Sequence, residues 1–286
     1  MKNINIDKNN TELTTVLDQV EQTIPGILTE LKTIFLNGHG NIQEAEEKEA
    51  GDYVTESDRG IENRFKQWVE ANYPGHNFLG EEFGESKNLS ESDWLWAIDP
   101  IDGTNNFQSG NSDSVIVISL RYKEVPVYAV CLAPLFNNHT GVEFVARIGR
   151  GFWINGTRGR VSPINSLKHA MAVVCKLTTI ERTKVMVGEL WDASAGIHMR
   201  GSSVLEVCLV ASGEFGISVT YSNGPHEWPA QYLFAKESGC IIGMLGQPDD
   251  EVETKGTMYK SFLIAANEQL YEEAKLLVHL PPPLKA

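Results

Sequence analysis

Apolar positions recur at helical spacing near the start of the chain, where Leu13, Val16, Leu17, Val20, Ile24, Leu28, Leu31 and Phe35 form one stripe. Residues three and four apart share a helix face, so the stripe predicts a long amphipathic helix, bent near Pro25-Gly26 because proline lacks a backbone donor. Residues 1–10 are polar and predict a loose segment, and the acidic run 44–49 predicts a solvated loop. Ile61, Phe65, Trp68 and Val69 return to helical spacing, with Ser57 or Asp58 placed to cap that helix. Short apolar runs then replace the helical period. A strand over 95–98 should stop near Pro100, and runs at 115–120, 127–132 and 142–146, with turns at Lys123-Glu124 and Asn137-Asn138, predict an antiparallel sheet. Beyond residue 160 strands (172–174, 215–219, 262–266) alternate with helices (179–190, 203–212, 228–238), and Pro281-Pro282-Pro283 closes the last helix. No internal repeat is present. By itself this pattern supports only a mixed α and β fold.

With 286 residues and 42% hydrophobic content, the chain can bury a core as one large domain or two joined halves, 1–160 and 161–286. The formal charge of −14 argues against nucleic acid or an anionic membrane as a main partner, and makes an anionic substrate improbable without bound cations. Cys131, Cys175, Cys208 and Cys240 are scattered in apolar settings without C-x-x-C pairs, which predicts reduced core thiols. With no run of eighteen apolar residues and no signal-like segment, a cytoplasmic protein is expected.

The chemistry concentrates at residues 96–107. Asp99 and Asp102 flank Pro100-Ile101 and are followed at once by Gly103 and Thr104. A turn at a strand end can aim two aspartates and the Ile101 carbonyl at one point, the oxygen set that hard divalent cations prefer. Gly103 permits close backbone approach, and a helix starting at Thr104 would offer N–H groups to a phosphate. An ordinary turn between strands would also explain the motif. Two acidic elements lie upstream: Gly80-Glu81-Glu82 after a short apolar run, and Thr55-Glu56-Ser57-Asp58 ahead of a helix.

In this order the elements resemble the inositol monophosphatase family, the Mg²⁺-dependent, lithium-sensitive phosphatases related to fructose-1,6-bisphosphatase. Residues 149–156 resemble the family's Gly-x-Gly-x-x-x-Asn-Gly hairpin, Arg200-Gly201-Ser202-Ser203 and the apolar run to Gly213 resemble its Gly-Ser-Ala helix, and 262–267 its closing strand. The resemblance spans about residues 45–280 and implies an α+β fold, a layered αβαβα sandwich. The N-terminal half would carry most metal ligands, and the C-terminal half the substrate side and the last ligand. Glu81, Asp99 and the Ile101 carbonyl match ligands of a first metal, with Asp99 bridging to a second held by Asp102. Gly103 and Thr104 match the phosphate seat, and Asp58 with the Thr104 hydroxyl the pair that activates water. Gly201, Ser202 and Thr220 fall on the substrate side, with Tyr221 an alternative to Thr220. Glu56 and Glu82 match no role and read as surface charge, as does Lys48, although the family often has a lysine near it. The family's Trp-Asp-x-Ala-Ala motif is replaced by His226-Glu227-Trp228-Pro229-Ala230, so Glu227 stands for the second metal's aspartate, with Pro229 suited to a first helical turn. Trp191-Asp192-Ala193 resembles that motif more closely but precedes the Gly-Ser helix, where the family's motif follows it; order favours Glu227.

The resemblance implies two or three Mg²⁺ per site, with Mn²⁺ as an alternative and Li⁺ as inhibitor, and a homodimer. The expected activity is hydrolysis of a small phosphate monoester, inositol monophosphate or a related sugar or polyol phosphate, by metal-activated water. Fructose-1,6-bisphosphate, a nucleotide 3′-phosphate and histidinol phosphate are alternative substrates. A catalytically weakened, phospho-ligand-binding or regulatory relative is the alternative class, because of Glu227.

Overall fold

Asn10 opens helix α1 (Thr11–Gly38) by accepting from the N–H groups of Glu12 and Leu13, which have no partner inside a helix. The structure, a computed structural model, describes residues 10–41, 46–49, 52–84, 92–175, 180–245 and 259–278. In α1, Leu13, Leu17, Val20, Ile24, Ile27, Leu28, Leu31 and Phe35 are buried, and each such large side chain taken from water contributes about 1.5–3 kcal/mol. The helix continues through Pro25 as one element. Strands β1 (Glu46–Glu49) and β2 (Asp52–Val54) pair antiparallel. Part of the acidic run is therefore a hairpin strand and not the expected loop, because ladder bonds come from the backbone and β2 supplies the partner. Residues 1–9, the Lys48 side chain and Pro281-Pro282-Pro283 lie outside the described residues.

Helix α2 (Glu56–Asn72) starts in a capping box, in which Thr55 Oγ accepts from Asp58 N–H while the Asp58 carboxylate accepts from Thr55 N–H at 2.7 Å. Its Ile61, Phe65, Trp68 and Val69 join the α1 stripe in one core. A seven-stranded sheet follows in chain order: β3 (Asn77–Gly80), β4 (Trp94–Asp102), β5 (Val115–Tyr122), β6 (Val125–Ala133), β7 (Val142–Arg147), β8 (Gly151–Ile154) and β9 (Thr157–Arg158). Two short helical turns interrupt it, α3 (Thr104–Gln108) and α4 (Phe136–His139). Only the β3–β4 pair is parallel. Lys123 and Glu124 (φ 50° and 67°) turn β5 into β6, and Asn155 and Gly156 (φ 46° and 75°) turn β8 into β9. Paired positive φ values match the twist of a tight hairpin.

All of β5 and β6 is buried. Side chains alternate between faces, so Ile116, Ile118 and Leu120 meet α1 and α2, while Val115 and Val117 face the second core. That core belongs to the rest of the chain: β10 (Met171–Val174), α5 (Ile180–Ala193), β11 (Gly196–His198), α6 (Ser203–Ala211), β12 (Ile217–Asn223), α7 (Trp228–Ser238), β13 (Ile241–Met244), β14 (Lys260–Ala265) and α8 (Glu268–Lys275). These strands form a sheet in the order β11-β10-β12-β14-β13, parallel over the first three and antiparallel at β14. Every residue of α6 is buried, and α6 and α7 pack on both sheets. The layers run α1 and α2, large sheet, α6 and α7, small sheet, with α5 and α8 packed on the small sheet. This is the layered α+β arrangement that the family resemblance implies.

Candidate metal centre

The centre begins with an irregularity in β4. Asp99 lies opposite Val117 and Asp102 opposite Val115, so three steps along β4 face two along β5. The extra residue makes a bulge, where a proline costs no ladder bond and where side chains are re-aimed. The strand thus continues through Pro100 to Asp102, a correction to the expected stop. Asp99 Oδ1 accepts from Ile101 N–H at 3.0 Å. Asp102 accepts from Ser202 Oγ (2.7 Å), Ser203 N–H (3.1 Å) and Val204 N–H (2.7 Å), at a helix N-terminus whose free N–H groups and dipole favour an anion. Gly103 adopts φ 91°, and a β-carbon there would sit 3.0 Å from the Asp113 carbonyl and 3.1 Å from that of Gly201. Thr104 starts α3 and donates its hydroxyl to the Ile101 carbonyl at 3.0 Å. Asn106 Nδ2 ties α3 to the carbonyls of Asp113 and Arg200 at 2.7 and 2.6 Å.

Glu81 follows β3 on a turn clasped by Glu62 of α2, whose carboxylate accepts from the N–H groups of Glu82 and Phe83 at 2.8 and 2.9 Å. Glu62 is fully buried, and it lies so close over Gly80 that a β-carbon there would overlap its carboxylate. Glu227 is the N-cap residue of α7, with Pro229 in the first turn. Its Oε1 accepts from Ser203 Oγ at 2.8 Å and its Oε2 from Gly224 N–H at 2.5 Å. Behind it Gln231 Nε2 donates to Ser203 Oγ and Asn223 Oδ1, both at 2.9 Å, and Asn223 Nδ2 donates to Thr220 Oγ1 at 2.9 Å.

Two groups of ligand atoms result. One oxygen each from Asp99, Asp102 and Glu227 lie within 4.8 Å of one another, and so do one atom each from Glu81, Asp99 and His226. Asp99 belongs to both. It is 3% exposed and Asp102 7%, and burial of charge without compensation is expensive. Burial, then the charges of Glu81, Asp102 and Glu227, hold Asp99 well above the usual carboxylate range. Burial and then Glu227 push Asp102 up to about 7 against its hydrogen bonds from Ser202, Val204 and Ser203. Glu227 is also pushed up to about 7, by burial first and by Glu81, against its bonds from Gly224 and Ser203. Closely packed carboxylates that resist ionisation are a donor set a divalent cation fits, since it supplies the missing positive charge and takes oxygen ligands.

The fold therefore gathers Glu81, Asp99, Asp102 and Glu227. Asp58 is buried at the start of α2 and shares its carboxylate with Thr55. Ser202 is fully buried and spends its hydroxyl on Asp102, with Gly201 exposed beside it. Thr220 is fully buried in β12 with its hydroxyl on Asn223, and the neighbouring Tyr221 hydroxyl contacts Met186 Sδ at 3.2 Å. Asp192 is exposed on α5 and belongs to neither group, and Glu56 is exposed. The sequence assigns no role to Glu62, Ser203, Asn223, His226 or Gln231. Spacing offers a signal for two of them: Glu62 follows Asp58, and Gln231 follows Glu227, by four residues, one helical turn.

Two sheets sharing a helical layer, with a buried carboxylate cluster between them, define a class of protein more than a single activity. The sequence model of the inositol monophosphatase family matches residues 9–278, and this chain belongs to that family. It is 31% identical over 248 residues to a Nus factor SuhB of Pseudomonas aeruginosa, covering 84% of this chain and 88% of that one. It is 28% identical over 214 residues to a fructose-1,6-bisphosphatase/inositol-1-monophosphatase of Aquifex aeolicus, covering 73% and 77%. Among solved structures, a staphylococcal IMPase complexed with products is similar at 25% identity with a TM-score of 0.76, covering 91% of this chain and 95% of that one. Among the described residues, no helix is long and apolar enough to cross a membrane, and all four cysteines are free thiols.

Proposed function

We propose that this chain is a divalent-cation-dependent phosphomonoesterase acting on a small phosphorylated polyol or sugar, inositol monophosphate or a close analogue. The observation that carries this reading is the sharing of Asp99 by two groups of ligand atoms, each spanning no more than 4.8 Å. Glu81, Asp99 and the Ile101 carbonyl would hold one cation, and Asp99, Asp102 and Glu227 a second, with Mg²⁺ the family's usual ion and Li⁺ an inhibitor. Bound there, the cations would lower the pKa of a water and offset charge on the phosphoryl and leaving oxygens. Gly103, its backbone bare of side chain, seats the phosphate with Thr104. Thr104 Oγ1 and Asp58 orient the attacking water and take its proton. Gly201 and Ser202 border the leaving group, where Thr220 supports the wall through Asn223. A homodimer in the cytoplasm fits this reading.

A phosphate-release screen over inositol phosphates, fructose-1,6-bisphosphate, nucleotide 3′-phosphates and histidinol phosphate, with and without Mg²⁺ and Li⁺, tests it. Cation-dependent release is expected from at least one polyol or sugar phosphate, with Asp99→Asn slowing it on the order of 100-fold or more. Full turnover by Asp99→Asn would refute the scheme. A regulatory role is the second reading, supported by the similarity to a protein named as a Nus factor and by glutamate in place of aspartate at 227. Glu227→Asp separates the two: a sharp gain in hydrolysis marks a degraded site, and a loss marks a site built for glutamate.

A further inference from the structure

We infer that His226 supplies a nitrogen ligand to the cation held by Glu81 and Asp99, so that this position prefers a first-row transition cation to Mg²⁺. The inference rests on the metal-centre reading above and deepens it. Three observations carry it. First, one ring nitrogen of His226 and one oxygen each of Glu81 and Asp99 lie within 4.8 Å of one another. Two atoms bound to one cation at about 2.0–2.2 Å are at most about 4.4 Å apart, so small side-chain adjustments bring all three to a common centre. Second, the ring is positioned by its backbone. It lies over Gly224, where a β-carbon would come within 2.5 Å of Cε1 and 2.7 Å of Nε2. The N–H groups of Glu227 and Trp228 both bond the Gly224 carbonyl at 3.0 Å, closing the turn that carries the ring. Third, the groups it faces are acidic. Its Nε2 is 3.7 Å from Glu227 Oε2, and the Glu81 and Asp99 carboxylates converge on the same ring. Carboxylates packed this closely are offset by a shared cation, and the imidazole stands beside them.

The adjacent residues His226 and Glu227 thus serve different ligand groups from one turn, His226 with Glu81 and Asp99, Glu227 with Asp99 and Asp102. Carboxylate and carbonyl oxygens alone would suit Mg²⁺. Exchanging one oxygen for an imidazole nitrogen moves the preference toward transition cations, because imidazole binds them well and Mg²⁺ holds its waters and favours oxygen.

Mn²⁺ is the probe. In the intact protein loaded with Mn²⁺, pulsed electron paramagnetic resonance should show nitrogen coupling from a directly bound imidazole, absent in His226→Gln. Competition titration should find Mn²⁺ bound more tightly than Mg²⁺. His226→Gln should weaken Mn²⁺ by at least the roughly tenfold that loss of even an outer partner costs, while changing Mg²⁺ far less. Gly224→Ala, which displaces the ring without removing it, should reduce the same coupling. The wild-type spectrum stands even if a variant fails to fold. Mn²⁺ binding without nitrogen coupling, lost on Asp99→Asn, would overturn the role of His226 and leave the metal centre intact. No Mn²⁺ or Mg²⁺ binding at all would overturn both.

Discussion

Asp102 and Glu227 have ordinary values of 3.8 and 4.5, and each is raised to about 7 in the fold. A carboxyl group whose pKa is higher folded than unfolded holds its proton more tightly when folded, so it favours the fold at low pH and that contribution is lost as pH rises. In the cation-free protein Tm should therefore fall between about pH 4 and pH 7 on account of these two groups. Asp99, also held well above the usual carboxylate range, acts in the same direction. Cations need the ionised carboxylates and displace their protons. Added Mg²⁺ or Mn²⁺ should accordingly raise Tm more at pH 8 than at pH 6, which differential scanning fluorimetry measures; an equal shift at both values would argue against a cation among these groups. The carboxylates themselves are legible at this scale, because Asp99, Asp102 and Glu81 lie in a recognisable order. Their pKa values are not, since burial and mutual repulsion exist only once β3, β4 and the N-terminus of α7 meet.

At the scale of elements, two local devices fix the geometry. Thr55 and Asp58 close the capping box of α2, and Thr55→Ala should cost about 0.5–2 kcal/mol in urea unfolding. Because Thr55 also holds the Asp58 carboxylate, turnover should fall more than stability predicts. Gly103 stands in the left-handed region between two carbonyls. Gly103→Ala should destabilise by about 1–3 kcal/mol, with cation affinity falling alongside, because the residue between Asp102 and Thr104 must shift. A variant as stable and active as the wild type would mean that the turn is not constrained as described. The helices α1, α2 and α7 are legible from apolar period, caps and Pro229. The β4 bulge is not, since proline after Asp99 signals a stop equally well, and only pairing with β5 reveals that the strand goes on. The β1 strand escapes the same way, because glutamates carry no apolar alternation.

Across the whole molecule, α6 and α7 serve as the inner layer for both sheets, and Trp228 lies fully buried there. Arg121 of the large sheet and Lys260 of the small one reach its ring at 5.6 and 4.2 Å, favourable contacts for cations on an aromatic face. Trp228→Ala should cost about 3–5 kcal/mol and weaken cation binding with it, because Glu227 is the preceding residue. Residues 1–160 expressed alone should aggregate, since the face of β5 and β6 bearing Val117, Ala129 and Cys131 is covered by the inner layer. A soluble, cooperatively folding fragment would contradict that dependence. The sequence by itself determined the amphipathic helices, the hairpin turns and the Asp99–Thr104 motif, because these are written in local period, caps and residue chemistry. It also carried enough ordered motifs to imply the layered fold. Motif order already favoured Glu227 over Asp192, and the tertiary structure adds the residues that converge around it: Glu62 under the Glu81 turn, Gln231 behind Ser203, and His226 beside Asp99. Those added neighbours depend on how strands and helix ends far apart in the chain pack, which no local pattern encodes.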